Sequence, residues 1–216
     1  QLQTDVGKQV RGKSSFAAQF AHASVRRGER CLYVALEESE QQILRNMRSI
    51  GIDLQPAKAA SMLHFYNARP TLYGLEMHLV MIYKLVQEFS PKLVIVDPIT
   101  NFTSVGGTLE VKAILMRLVD YLKTQQITGL VTSLTDSSDN AEQSEVGISS
   151  LMDLWLLLKM IETNGERNRG LYVLKARGTA HSNQVREFRL SSKGIEVLDT
   201  YTGTGGVLTG TARTAQ

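Results

Sequence analysis

Short, largely apolar stretches alternate with amphipathic ones from Gly12 to Leu134, and this alternation constrains the fold more than any other feature of the sequence. Unbroken apolar runs predict strands at residues 31–36 and 93–96, and two further strands are predicted at residues 62–66 and 128–134. The amphipathic stretches predict helices at residues 12–27, 40–51, 71–89 and 109–126. Because a strand that is apolar at every position is buried on both faces, the pattern predicts a parallel sheet with crossover helices.

The C-terminal part of the chain shows a hairpin pattern instead. Two pairs of strands are predicted there: residues 153–161 with 169–176, and residues 185–190 with 195–198. Asn164-Gly165 and Lys193-Gly194 supply the turns, since Gly readily adopts the positive φ that tight hairpin turns require. We therefore predict an α/β fold, with a mostly parallel twisted sheet, flanking helices and C-terminal β-hairpins.

The predicted organisation is one domain followed by a tail. We assign residues 1–201 to a single domain that is truncated at its N-terminus, since the chain opens on Gln1 rather than on Met. Residues 202–216 are rich in Gly and Thr and are expected to form a flexible tail.

Composition narrows the class of protein only slightly. The chain has 216 residues, a net charge of +3 and 43% apolar residues, which suits one sizeable globular core. No apolar run is long enough for a membrane helix, and no signal-peptide pattern opens the chain. Cys31 is the single cysteine, so it forms no internal disulfide and is expected to be a buried core thiol. A cytoplasmic location fits these features.

A phosphate-binding motif lies at the start of the first predicted helix. Gly7-Lys-Gln-Val-Arg-Gly12-Lys13-Ser14 matches the pattern G-x-x-x-x-G-K-[ST]. In such a loop Gly12 permits close approach of the backbone, Lys13 reaches the β- and γ-phosphates, and Ser14 offers its hydroxyl to Mg²⁺. The variable positions are bulky and basic, and residues 1–6 make a poor strand. A simple helix start with Ser14 as its cap is the alternative.

Carboxylates follow two of the predicted strands. Asp97 ends the apolar run 93–96, where it could hold a water of a Mg²⁺ shell or merely cap the turn at Pro98. Glu37 and Glu38 end the run 31–36, where one could activate water and the other support the metal. The alternative for this pair is a set of acids that decorates a helix N-terminus.

Several stretches together resemble the KaiC-type ATPases, a RecA-like family of phosphate-binding-loop proteins. The matching stretches are Gly12-Lys-Ser-Ser15, Leu36-Glu-Glu-Ser39 with Leu44-Arg-Asn46, Ala68-Arg-Pro70 with Gly74-Leu-Glu76, Val94-Ile-Val-Asp-Pro98, Thr132-Ser133, Ile148-Ser-Ser-Leu-Met-Asp153, Gly165-Glu-Arg-Asn-Arg-Gly170, Lys175-Ala-Arg-Gly178 with His181, and Arg186-Glu-Phe188. Their order and spacing carry the resemblance, which covers nearly all of the chain from Gly12 to the tail.

The resemblance implies a ring, commonly a hexamer, with ATP and Mg²⁺ bound between neighbouring subunits. The implied nucleotide contacts are Gly12, Lys13, Ser14, Ser15, Ile50, Asp97, Arg169, Lys175, Ala176, Arg177, Thr179, His181 and Asn183. The implied metal contacts are Ser14, Glu37 and Asp97. Glu37 and Glu38 match the catalytic carboxylates, and Lys175 and Arg177 match a basic pair that reaches the neighbour's γ-phosphate. Without the resemblance, that pair would be a solvated strand end. Ile50 stands where an aromatic lies near the adenine in one domain of the family.

Ser149 and Ser150 match a position at which a member of the family phosphorylates itself. The resemblance thus implies a possible serine autokinase, whereas a serine pair before a strand is usually a local cap or turn. The implied biological role is circadian timing or signalling, with regulatory protein partners.

Two other functions compete with an ATP-hydrolysing ring subunit. One is a nucleic-acid motor or recombinase on the same fold, but residues 135–147 contain four acids and no Lys, Arg or aromatic residue. Such a segment repels phosphates and offers no ring for base stacking, so we expect no nucleic-acid partner. The other is a nucleotide-binding scaffold with negligible turnover, which the unusual residues before Gly12 make credible.

Overall fold

The computed structural model describes residues 12–134, 151–163, 166–182 and 184–198. The chain divides into two compact units, Gln1–Leu151 and Met152–Gln216. No helix within the described ranges is long and apolar enough to cross a membrane.

The first unit contains a four-stranded parallel sheet with the strand order β2-β1-β3-β4. Its strands are β1 (Cys31–Ala35), β2 (Leu63–Asn67), β3 (Leu93–Asp97) and β4 (Thr128–Val131). Every residue of the two central strands, β1 and β3, is buried. The predicted parallel sheet is therefore confirmed, and the unbroken apolar runs correspond to strands covered on both faces.

Helices precede and connect these strands, and all but one of them are predicted from the sequence. They are α1 (Lys13–Arg26), α2 (Glu40–Ser49), α3 (Gln55–Ala59), α4 (Leu75–Phe89) and α5 (Thr108–Thr124). Ser39 opens α2 with a capping box, in which the Ser39 and Gln42 side chains bond each other's backbone N–H groups. Helix α4 begins later than predicted, because residues Pro70–Leu72 form a 3-10 turn and Gly74 is extended.

Two short elements were not predicted from the sequence. Helix α3 has five residues, too few for a helical period to be visible, although Pro56 in its first turn is a typical start signal. A 3-10 helix at Ile99–Ser104 follows β3 directly. Helix α3 lies just before β2 and the 3-10 helix lies just after β3, so both belong to the segments that join helices to strands.

The core of the first unit packs α1 and α2 against one face of the sheet. Small residues of α1, among them Ala17 and Ala21, lie in one buried cluster with Cys31 and Tyr33 of β1. The sulfur of Cys31 is buried as predicted, and this burial raises the pKa of its thiol to about 12. Small side chains let the helix approach the sheet closely, which brings the start of α1 near the strand ends.

The second unit is an antiparallel sheet with the order β5-β6-β7-β8. Its strands are β5 (Leu154–Thr163), β6 (Glu166–Ala176), β7 (Arg186–Ser191) and β8 (Gly194–Val197). The two predicted strand pairs are confirmed, and Gly194 has a φ of 98° at the second turn. Asn164-Gly165 and the tail 202–216 lie outside the described residues.

Candidate functional site

The carboxyl ends of the parallel strands meet at one edge of the first sheet. The pairing register aligns Ala35 with Asn67 on one side and with Asp97 on the other. Glu37 and Glu38 follow β1 directly, and Thr132 follows β4. Open α/β sheets bind their ligands at this edge. In this protein the predicted acids and several neutral hydrogen-bonding side chains lie there.

Helix α1 brings the Gly-Lys-Ser sequence to the same edge. Gly12 has a φ of 137°, which favours glycine, and its carbonyl accepts the first helical hydrogen bond from the backbone N–H of Phe16 at 2.9 Å. Lys13 donates from Nζ to the carbonyl of Ser133 at 2.6 Å, just beyond β4. Ser14 lies inside the first turn rather than at the cap position. The alternative of Ser14 as a helix cap is therefore wrong, and an N-terminus without acids faces the strand ends.

Asp97 is buried, with 6% of its surface exposed, and hydroxyl groups contact both of its carboxylate oxygens. Tyr33 of β1 donates from its hydroxyl to Oδ2 at 2.6 Å. Thr132 donates from its hydroxyl to Oδ1 from the other side. These contacts with the neighbouring strands do not match a cap for the turn at Pro98, and they present a fixed carboxylate at the strand ends.

The adjacent acids Glu37 and Glu38 have different surroundings. Glu37 lies at the surface, with its carboxyl group partly shielded from water. This partial burial raises the pKa of Glu37 above its ordinary value, and the nearby negative charges of Asp97 and Glu38 raise it further. The carboxylate of Glu38 accepts a hydrogen bond from the amide Nδ2 of Asn46, on α2, at 3.1 Å. Ser39 is the cap residue of α2, and the two glutamates lie directly before it, so the alternative of acids beside a helix N-terminus stays open.

Asparagine side chains hold the backbone that carries these acids. Asn67, the last residue of β2, donates to the carbonyl of Glu38 at 3.2 Å. Asn101, in the 3-10 helix after β3, donates to the carbonyl of Leu36 at 3.2 Å. Asn67, Asn101 and Tyr33 contact this edge but were not predicted from the sequence. A polar residue at or just past the end of a buried strand was a signal for the first two, and a hydroxyl inside an apolar strand was a signal for Tyr33.

The predicted cations lie in the second unit. Arg169 and Lys175 are half-buried on β6, and Nε of Arg169 is buried without a hydrogen-bond partner among the described residues. Arg177 is exposed beyond β6, where its backbone N–H donates to the carbonyl of Asp153 at 2.8 Å and its guanidinium lies 3.9 Å from that carboxylate. Gly178, with a φ of 72°, turns the chain after it.

The other predicted site residues are placed as follows. Ser15 is buried in α1, and Ile50 ends α2, half-buried against the core cluster. Ala176 is half-buried at the end of β6, whereas Thr179 and His181 are exposed beyond it. Asn183, Ser149, Ser150, residues 1–11 and the acidic segment 135–147 lie outside the described residues. Their roles stay predictions.

The fold and this edge define a class of protein. A parallel sheet with a Gly-Lys-Ser helix start and a buried strand-end aspartate is the arrangement of phosphate-binding-loop nucleoside triphosphatases. The family model "ATPase: KaiC" matches residues 6–201. The chain therefore belongs to the KaiC family of ATPase domains, which are RecA-like.

Similar proteins support the same assignment. The chain is 54% identical over 213 residues to the circadian clock protein KaiC2 of Synechocystis sp., covering 97% of this chain and 37% of that relative. It is 33% identical over 201 residues to the circadian clock protein KaiC3 of Synechocystis sp., covering 93% and 40%. It is 31% identical over 201 residues to the circadian clock oscillator protein KaiC of Thermostichus vulcanus, covering 93% and 39%. The chain thus spans well under half the length of these curated relatives.

Proposed function

We propose that this chain binds ATP with Mg²⁺ at the carboxyl edge of its parallel sheet and hydrolyses it as a subunit of a ring, commonly a hexamer. The observation that carries the proposal is the meeting of Lys13, Asp97 and the pair Glu37-Glu38 at one edge. The α1 N-terminus adds a positive dipole end at the same place, which suits phosphate.

The residues at this edge fit Mg²⁺ by their chemistry. Ser14 offers a hydroxyl and Asp97 offers a carboxylate, and hard oxygen ligands of this kind are what Mg²⁺ prefers. Within the described ranges, no group of three His, Cys, Asp or Glu side chains is placed to hold a metal ion. Mg²⁺ commonly keeps several waters and shares phosphate oxygens with the protein, so a few side chains suffice. The bound ion would offset the negative charge of the phosphates.

The two glutamates have separate roles in this proposal. The carboxylate of Glu38 is held by Asn46, so we assign it to support and orientation. Glu37 has a raised pKa and solvent access, which suits a general base that takes a proton from the attacking water. Lys13 would hold the phosphates while this proton moves.

Cations from a neighbouring subunit would complete the site. Lys175 and Arg177 would approach the γ-phosphate in trans, where positive charge stabilises the negative transition state. Further nucleotide contacts from that subunit would come from Arg169, Ala176, Thr179, His181 and Asn183. This arrangement makes hydrolysis depend on assembly, whereas each subunit retains its own phosphate-binding helix.

The relatives' names extend the proposal to biological role. Because they are described as circadian clock proteins, we propose that this domain acts in timing or signalling, with regulatory protein partners. Autophosphorylation at Ser149 or Ser150 is the finer possibility within this role. Mass spectrometry after incubation with ATP and Mg²⁺ tests it, with the Ser149→Ala and Ser150→Ala variants as controls.

Light scattering with and without ATP and Mg²⁺ tests the main proposal. We expect the wild-type chain to form a ring of several subunits with nucleotide and to release phosphate. Lys13→Ala should lose both properties, because the ammonium group that holds the β- and γ-phosphates is gone. A monomer that ignores ATP would contradict the proposal. Assembly without phosphate release would favour a nucleotide-binding scaffold.

A further inference from the structure

Tyr33 places a polar group inside the otherwise apolar strand β1. Its side chain is completely buried, and it lies in register with Ile95 of β3, two residues before Asp97. Residues two apart share one face of a strand, so the phenol reaches diagonally along that face to Asp97. The ring packs on Phe65 of β2, with ring centroids 5.3 Å apart.

Packing alone does not require this hydroxyl. A phenylalanine at position 33 would fill the same space against Phe65, and burying a hydroxyl costs free energy unless it is hydrogen-bonded. The hydroxyl of Tyr33 donates to Oδ2 of Asp97 at 2.6 Å. This carboxylate oxygen therefore gives the buried hydroxyl the partner that it needs.

Thr132 contacts the other oxygen of the same carboxylate. Strand β3 lies between β1 and β4, so the two hydroxyls approach Asp97 from its two neighbours in the sheet. The terminal torsion of an aspartate is broad when nothing holds the carboxylate. A hydrogen bond to each oxygen fixes the carboxylate plane, and each oxygen keeps a second lone pair for another partner.

We infer that Tyr33 is a positioning residue, which holds the Asp97 carboxylate in one orientation for the hydration shell of the nucleotide-bound Mg²⁺. The inference rests on the proposed function and adds to it the residue that orients the metal-side carboxylate. Tyr33 touches neither metal nor nucleotide in this role. It acts only through Asp97.

The expected effect is a loss of metal affinity rather than of nucleotide affinity. Removing the hydroxyl in Tyr33→Phe keeps the ring but frees one oxygen of Asp97. Loss of such an outer partner costs about tenfold in metal affinity. Nucleotide binding in the presence of a chelator, where no metal takes part, should stay unchanged.

Titration of the full chain with Mn²⁺ tests the inference, in the presence of a non-hydrolysable ATP analogue and with electron paramagnetic resonance as the readout. The matched control is Tyr66→Phe, which removes a hydroxyl that lies 3.5 Å from Nδ1 of His78 in the same unit. We expect Tyr33→Phe and Thr132→Val to weaken Mn²⁺ binding and Tyr66→Phe to leave it unchanged. Thr132→Val keeps the test decisive if Tyr33→Phe does not fold, because it frees the other oxygen.

A double-mutant cycle separates positioning from general stability. In an Asp97→Asn background, Tyr33→Phe should cause no further loss of Mn²⁺ affinity, because its path to the metal is already gone. The inference is overturned, while the proposed function stands, if Tyr33→Phe binds Mn²⁺ as tightly as the wild-type chain. It is also overturned if Tyr33→Phe weakens Mn²⁺ binding just as much in the Asp97→Asn background. If the wild-type chain binds no nucleotide with Mn²⁺, the proposed function fails and the inference fails with it.

Discussion

The two sheets of this chain differ in how deeply they are buried and in the charges that they carry. In the parallel sheet, every residue of β1 and β3 is buried. In the antiparallel sheet, the buried apolar side chains among the described residues are Leu157, Leu158 and Phe188. The deeply covered sheet can hold a carboxylate in a fixed, partly dehydrated setting, whereas the lightly covered sheet presents side chains to the surroundings.

Their functional groups follow the same division. The parallel sheet carries the predicted acids: hydroxyls hold Asp97, an amide holds Glu38, and Glu37 is exposed. The antiparallel sheet contributes Lys175 and Arg177 at one end of β6. In the proposed function, the held carboxylate of Asp97 would position a metal, and the exposed guanidinium of Arg177 would reach a ligand.

The largest effect that tests this division is expected at Arg177. Arg177→Ala should lower the rate of ATP hydrolysis by about a thousandfold, because a trans-acting cation stabilises the transition state. Folding should hardly change, since the exposed ion pair with Asp153 contributes at most about 1 kcal/mol. Phosphate release and thermal unfolding measure the two quantities. Arg186→Ala, which removes an exposed guanidinium from β7, is the matched control.

Mixing two inactive variants sharpens the same prediction. Subunits with Arg177→Ala retain Glu37, and subunits with Glu37→Gln retain the cations, while both variants keep Lys13 for nucleotide binding and assembly. If the cation acts in trans, mixed rings contain some complete sites and recover part of the activity. Activity that stays absent in verified mixed rings would assign Arg177 to its own subunit's site.

A smaller difference is expected in stability between the two sheets' cores. Leu115→Ala in α5 removes a fully buried side chain and should cost about 4 kcal/mol, whereas Leu158→Ala in β5 should cost about 2 kcal/mol. The chain has one Cys and one Trp, so each unit has its own reporter: labelling of Cys31 and fluorescence of Trp155. Equal losses of unfolding free energy in denaturant titrations would show that the difference in burial between the two sheets does not produce a difference in stability.

The smallest effect is expected at Asn46. Asn46→Leu removes one hydrogen bond to Glu38, worth about 1 kcal/mol, which corresponds to about a fivefold slower turnover. Asn46→Asp should be slower still, because it places a like charge beside Glu38. ATP affinity should not change in either variant. Gln41→Leu, at another exposed position of α2, serves as the control in steady-state kinetics. If Gln41→Leu slows turnover as much as Asn46→Leu does, the result would argue against the role of Asn46 in orienting the Glu38 carboxylate.

Much of the fold could be predicted because its signals are local. Unbroken apolar runs marked β1 and β3, and Asn164-Gly165 marked the first hairpin. The start of α4 was predicted too early, at Thr71, because apolar residues at helical spacing continue back to that point. In the structure, Pro70–Leu72 form a separate 3-10 turn, and the extended Gly74 divides that turn from the helix. Helix α3 was missed because five residues are too few for a period.

The sequence by itself determined which acids and cations this protein has and which strand ends carry them, because strand endings and the Gly-Lys-Ser motif are read over a few neighbouring residues. Only the tertiary structure decided the partners of those groups: Tyr33 and Thr132 for Asp97, and Asn46 for Glu38. The physical reason for the two Asp97 contacts is that sheet order and register set them. Tyr33 and Thr132 are far apart in the sequence, and they meet one carboxylate because β1 and β4 lie on either side of β3.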